Sequence, residues 1–229
     1  MANYESITKL AADIEEEFVK TNEEQEFLPC DKLGELVTRD RVLSAFQDAN
    51  ISNEEDLVVF ALNEAKRIFL ILVMMSETEE KLSLLRGLQD NGMNDESLPI
   101  GLDKENRKHY GYSLEGSRYG GPQFAVFNEW MRNDRVLFES NQWKFTAPVF
   151  DNNKFRFQFS PKRILPYLVV APKPSSSGFF GEVSRIEIHP AHIPELEAVR
   201  NLPLLFSFRL NSAFLGSSHR KGCDCCQEG

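Results

Sequence analysis

The hydrophobic period changes once along this chain of 229 residues, and that change limits the fold more than any other feature. Before residue 90, apolar residues recur every three or four positions, the period of a helix. After residue 136 they alternate one with one, the period of a strand. Ile7, Leu10, Ala11, Ile14 and Phe18 mark a helix over 5–20, with Glu15, Glu16 and Glu17 turned to water. Asn22 to Glu26 reads as an acidic connector. Leu33, Leu36 and Val37 begin a short helix, and Val42, Leu43 and Phe46 line another over 39–49. Ser52 or Asn53 caps the strongest helical segment, with Glu54, Glu55 and Asp56 in its first turn. Its apolar face is Leu57, Phe60, Ala61, Ala65, Ile68, Phe69, Leu72 and Val73, as one helix or two. A further helix over 77–89 stops at Asn91-Gly92.

Residues 91–122 read as loops, and Phe124 to Arg132 as a short helix. Trp143, Phe145, Ala147 and Val149 then alternate with Lys144, Thr146 and Pro148. Phe155, Phe157 and Phe159 do the same beyond an Asp151-Asn152-Asn153 turn. Two alternating runs around an Asx-rich turn predict a β-hairpin. Tyr167 to Ala171 and Val183 to His189 are further strands, joined through 172–182. The expected class is α+β. A helix and connector (1–26) and a helical domain (27–115) precede a smaller β-rich part (116–198) and a disordered tail (199–229).

Charge follows the same division. Residues 1–115 carry 12 basic and 25 acidic side chains, net −13, and residues 116–229 carry 14 and 10, net +4. The two sum to the chain's −9. An acidic first half disfavours nonspecific contact with nucleic acid or anionic membrane. The longest apolar run, Ile68 to Met75, has eight residues, against the ~20 of a membrane helix. Met1 to Glu17 is polar and acid-rich, with no leader-like apolar core. Four cysteines, three of them at 223, 225 and 226, make no disulfide framework. Cytoplasm, or the nucleus, is the expected compartment, with no nucleic-acid or membrane partner.

The segment closest to chemistry is Ser175-Ser176-Ser177-Gly178-Phe179-Phe180-Gly181-Glu182-Val183, between two expected strands. In a phosphate-covering hairpin, glycines let backbone N–H groups approach phosphate and the valine packs on the base. On that pattern Ser177, Gly178, Phe180, Gly181 and Val183 are the candidate nucleotide-binding residues. With the loop goes an ordered set of segments: Phe27-Leu28-Pro29, Leu36-Val37-Thr38, Ala65-Lys66-Arg67-Ile68-Phe69, Gln142 to Phe150, Leu165-Pro166-Tyr167, and Gly178 to Pro190. Over residues 25–195 the chain resembles the N-terminal helical region and the start of the kinase N-lobe of fungal serine/threonine protein-kinase-like proteins.

The resemblance implies hairpins like the first strands of a kinase N-lobe, ending before the catalytic machinery. It also shows departures. Ser176 and Phe179 stand where the family has glycines, and a phenylalanine there hinders close backbone approach to phosphate. No Val-Ala-x-Lys, His-Arg-Asp or Asp-Phe-Gly follows, and the single lysine after Gly181 is Lys221. Phosphoryl transfer needs the lysine, the base and the magnesium ligands together. The expectation is therefore no enzyme, no catalytic residue, no cofactor and no metal. The chain reads as a noncatalytic regulatory or adaptor-like protein, an accessory of a fungal pathway, whose partner is a full-length kinase relative or another protein. A weak ATP-binding pseudokinase fragment and a decayed gene fragment are the alternatives. Val199-Arg200-Asn201 is compatible with a 5′ splice signal, so the tail also reads as intron read-through.

Other constellations have plainer accounts. His189-x-x-His192 lacks the further ligands zinc takes, and reads as a strand end and a turn. Cys223-x-Cys225-Cys226 with His219 belongs to the tail. Lys154, Arg156, Lys162 and Arg163 interleave with phenylalanines as in a nucleic-acid-binding sheet, yet alternation sends Phe155, Phe157 and Phe159 to one core-facing side. The Ile68 to Met75 stripe reads as a buried helix before a partner groove.

Overall fold

A computed structural model describes residues 5–52, 55–76, 81–102, 111–113, 123–150, 159–170 and 186–193. Seven helices are described: α1 Glu5–Glu16, α2 Lys32–Leu36, α3 Arg39–Asp48, α4 Glu55–Asn63, α5 Lys66–Met75, α6 Leu84–Asp90 and α7 Arg132–Phe145. Seven short strands accompany them: β1 Val19–Lys20, β2 Glu26–Phe27, β3 Ile100–Leu102, β4 Gly111–Ser113, β5 Gln123–Phe124, β6 Tyr167–Val170 and β7 Ile186–Ile188. They pair antiparallel as β1-β2, β3-β4-β5 and β6-β7. The class is α+β with a helical N-terminal part, as the change of period predicts.

Helix α5 is the axis. Every residue from Ile68 to Met75 is buried, so the apolar run is core rather than an open groove. A helix apolar on all sides is stable only when covered on all sides, and α1, α4, α6 and α7 all pack on it. The long apolar segment is two helices. The chain turns at Glu64-Ala65, where the amides of both residues bond back to the Phe60 carbonyl.

Helix ends are tied by side chains from elsewhere in the chain. Asp48, at the end of α3, accepts from the amides of Ser6 (2.6 Å) and Ile7 (3.2 Å) at the start of α1. Ala65 precedes α5 and has no capping side chain. Asp95 takes that place, accepting from Arg67 N (2.9 Å) and Ile68 N (3.1 Å). Past α6, Gly92 has φ +68°, and Met93 N bonds to the Leu88 carbonyl, closing the helix as its Asn-Gly stop predicts.

Four expectations change. The connector over 22–26 is the turn of a small hairpin, with Val19 opposite Phe27 and Thr21 Oγ1 accepting from Glu23 N and Gln25 N. Residues 100–102 and 111–113 are strands within the span read as loop. The strand expected at Trp143 to Val149 is the end of α7 followed by a nonregular segment. Its alternation coincides with a helix end: Trp143 and Phe145 are buried in different clusters, and Thr146, Ala147 and Pro148 are all buried. A helix spacing governs instead, with Asp134, Phe138, Gln142 and Phe145 inward. The short helix expected from Phe124 is a 3-10 turn over Ala125–Asn128, with α7 beginning at Arg132. The remaining half of that hairpin, over 151–157, lies outside the described residues.

Gln142 ties α7 to the three-stranded sheet. Its side-chain amide donates to the Ile100 carbonyl (2.8 Å), and its carbonyl accepts from Ile100 N (2.7 Å). Lys81 and Asp134 form a largely buried ion pair at 3.0 Å beside the same helix.

Candidate functional site

Ser177, Gly178, Phe180, Gly181 and Val183, with Phe179, lie outside the described residues, as do the tail and its cysteines. In sequence they connect β6 to β7, and that hairpin is described at its base. Tyr167 pairs with Ile188, Val169 with Glu187 and Val170 with Ile186, with a register shift between Tyr167 and Val169.

All of the quoted segments but Leu36-Val37-Thr38, which packs in the helical body, supply residues at the base of this hairpin. Leu28 N donates to Lys144 O (2.7 Å), and Arg67 Nε to Phe145 O (3.0 Å). Asn22 N donates to Tyr167 O (2.8 Å), His189 N to Pro166 O (2.9 Å) and Phe150 N to His192 O (2.8 Å). Phe27, Trp143, Ala147 and Ile164 form one small apolar cluster there, and Phe150, Ile188 and Ile193 another. Phe27 lies edge-on to both imidazoles, 5.8 Å from His189 and 5.3 Å from His192 between ring centres.

The Cys30 thiol and one nitrogen of each histidine at this junction are spent on its own backbone. The Cys30 thiol donates to Ala191 O at 2.7 Å. Burial, and then the nearby Asp31, push its pKa up, so it remains a thiol and not a thiolate. His189 Nδ1 accepts from Ala191 N (3.3 Å) and caps the 3-10 turn over Pro190–His192. Burial also lowers the His189 pKa, with Asp31 opposing. His192 Nδ1 lies 2.9 Å from Pro148 O. Its burial outweighs that bond and lowers its pKa to about 4. Burial alone raises Tyr167 to about 12. The two histidines read as a strand end and a turn take those places. No group of three histidine, cysteine or carboxylate side chains able to hold a metal occurs among the described residues.

Two surface features complete the inventory. A depression of about 210 Å³ lies between α1, α2 and α3, lined by Asp13, Glu16, Glu17, Glu35, Leu36 and Arg41. Most of its charges are paired locally: Arg41 to Asp13 at 2.9 Å, and Lys32 to Glu17 at 3.2 Å and Glu35 at 3.0 Å. The other feature is the outer side of α7. Val136 is 55% exposed and Leu137 41%, with Arg132, Asn133 and Ser140 beside them, and Met131, just before the helix, is 72% exposed. Of the basic residues read against nucleic acid, Lys162 pairs with Glu139 (2.8 Å) and Arg163 lies over the Phe159 ring.

No protein-family model, curated protein or solved structure matches the chain. Among the described residues, no helix is long and apolar enough to cross a membrane.

Sequence reading alone missed Cys30, Arg67 and Pro148 as junction residues. The signal that points there is the ordered series of short motifs from Phe27 to Pro190, all of which except Leu36-Val37-Thr38 supply a residue to it.

Proposed function

We propose that this chain is a noncatalytic, kinase-related regulatory or adaptor-like protein that acts by protein–protein contact. The outer side of α7 is the observation that carries this reading. Val136 and Leu137, with Met131 just before the first turn, leave apolar surface in water on a helix whose inner side is already packed. Isolated exposed apolar residues need no explanation, but adjacent ones on the outer face of a packed helix, with a third at its start, mark a contact surface. The only charge among the exposed residues of that face is Arg132. The face therefore complements an acidic, apolar-bearing surface, the character of residues 1–115 with their net charge of −13. The partner that fits is a full-length relative carrying the same acidic helical region.

The sequence supports the noncatalytic part: the single Val-Ala-x-Lys, Val170 to Lys173, precedes the glycine loop instead of following it, and these 229 residues contain no His-Arg-Asp or Asp-Phe-Gly. Co-purification of the chain with such a relative, compared with the Val136→Asp/Leu137→Asp variant, tests the reading. Retention by the native chain and loss by the variant support it. No retention by either refutes it. Saturable binding of magnesium-ATP in calorimetry would favour the pseudokinase alternative through Ser177, Gly178, Phe180, Gly181 and Val183. Phe179→Gly should then tighten it.

A further inference from the structure

His192 is 1% exposed, and its ring has one polar atom answered and one not. Pro148 O can only accept, so the hydrogen bond at 2.9 Å requires that Nδ1 carry the proton. The ring is then neutral and Nε2 presents a lone pair. That atom is buried and has no hydrogen-bond partner among the described residues. A lone pair against an apolar surface is tolerated at modest cost. An N–H bearing positive charge in the same place is not.

We propose that His192 is an acid-sensitive latch: its neutral ring fastens residues 186–193 to Phe27 and Pro148, and protonation at Nε2 releases that segment from the helical body. The groups facing the ring come from three places. Asp31, beyond β2, favours the cation; Arg67 of α5 and His189 of the same turn oppose it. Cys30, also beyond β2, is committed to Ala191 O as a donor. Burial exceeds all of these, and the imidazole's affinity for protons falls accordingly.

The geometry makes the release local. Apart from its own ring contacts and the pairing of β7 with β6, the segment is held by Phe150 N to His192 O, Cys30 Sγ to Ala191 O and His189 N to Pro166 O. The apolar cluster beneath it is Phe150, Ile188 and Ile193, whereas the body shares one continuous core around α5. A unit with so few buried contacts opens at lower free energy than that core. Between an unfolded-like value of 6.5 and a folded value of about 4, the open form binds more protons than the closed one. The open population therefore rises about thirtyfold from about pH 7.5 to about pH 5.

The test is a histidine NMR titration of the intact chain with amide hydrogen exchange, corrected for intrinsic rates, across that pH interval. The expected result is a His192 midpoint well below 6.5 and acid-accelerated exchange at Phe150, His189 and His192, with Leu70 and Ile71 of α5 unchanged. His192→Asn places an amide donor toward Pro148 O but does not titrate, and should flatten the response. His189→Asn keeps an acceptor for the Ala191 amide and should preserve it. An ordinary midpoint for His192 overturns the proposal. So does an acid response that survives in His192→Asn or disappears in His189→Asn. Should His192→Asn fail to fold, the titration and exchange of the native chain still decide.

Discussion

The helical body and the hairpin junction each bury an ionisable side chain, Asp95 in one and His192 in the other, and treat it oppositely. Both Asp95 oxygens are answered, by the amides of Arg67 and Ile68. The carboxylate serves as the missing cap of α5, where the helix dipole also favours it. Burial raises its pKa, with those two amides opposing. His192 has one nitrogen answered and its pKa is lowered. The consequences for stability have opposite signs. A raised Asp95 contributes most below its unfolded value and loses that contribution as pH rises through its folded value. A lowered His192 contributes fully above 6.5 and loses its contribution as pH falls toward about 4. Mild acid therefore weakens the junction while leaving the body's cap in place.

The comparison can be broken most forcefully in the body. Phe69 is fully buried in α5, edge-on to Phe46 at 6.3 Å. Phe69→Ala should cost about 3–5 kcal/mol in denaturant unfolding. Loss of less than about 1 kcal/mol would mean that the core around α5 is not the principal source of stability. Acidification comes next: the full His192 contribution is roughly 3 kcal/mol, lost between 6.5 and about 4. Urea midpoints across that interval should fall in the native chain and fall less in His192→Asn. Asp95→Ala should cost about 2 kcal/mol, because two amides of α5 lose their acceptor. Circular dichroism should show its melting temperature lowered at neutral pH. Smallest of all is Arg39→Gln. The Arg39–Glu55 pair is exposed and bidentate, at 2.8 and 2.6 Å, and its loss should leave the melting temperature unchanged within error.

How much of this was legible depends on the range over which the residues act. The helices of the body follow from local spacing: Ile7, Leu10 and Ile14 in α1, and Val42 and Phe46 in α3, are buried as their period requires. Gly92 at the end of α6 is a local signal of the same kind. The Trp143 to Val149 alternation misled because two faces of a helix end, each meeting a different cluster, imitate a strand. Asp95 could not be foreseen as the cap of α5, since the pairing spans 28 residues. The junction was harder still. His189 and His192 were visible as residues, but nothing near them in sequence announces Phe27, Cys30 or Pro148. The candidate loop residues Ser177, Gly178, Phe180, Gly181 and Val183 rest on a glycine pattern, and the described structure reaches only the strands on either side.

Helix α5 has a consequence for how the chain is made. It is apolar on every side, and one of the helices that cover it, α7, begins at Arg132, well after Met75. A ribosome that has released α5 has many residues still to add before its last wall arrives. During that interval the most water-averse helix of the protein has an uncovered flank, and such surfaces attract chaperones or other nascent chains. Contacts this distant in sequence also close late, since the intervening chain must first surrender its freedom. The acidic residues crowding the first half, with a net charge of −13 over 1–115, then act as a safeguard in time: like-charged incomplete chains repel one another until α7 arrives.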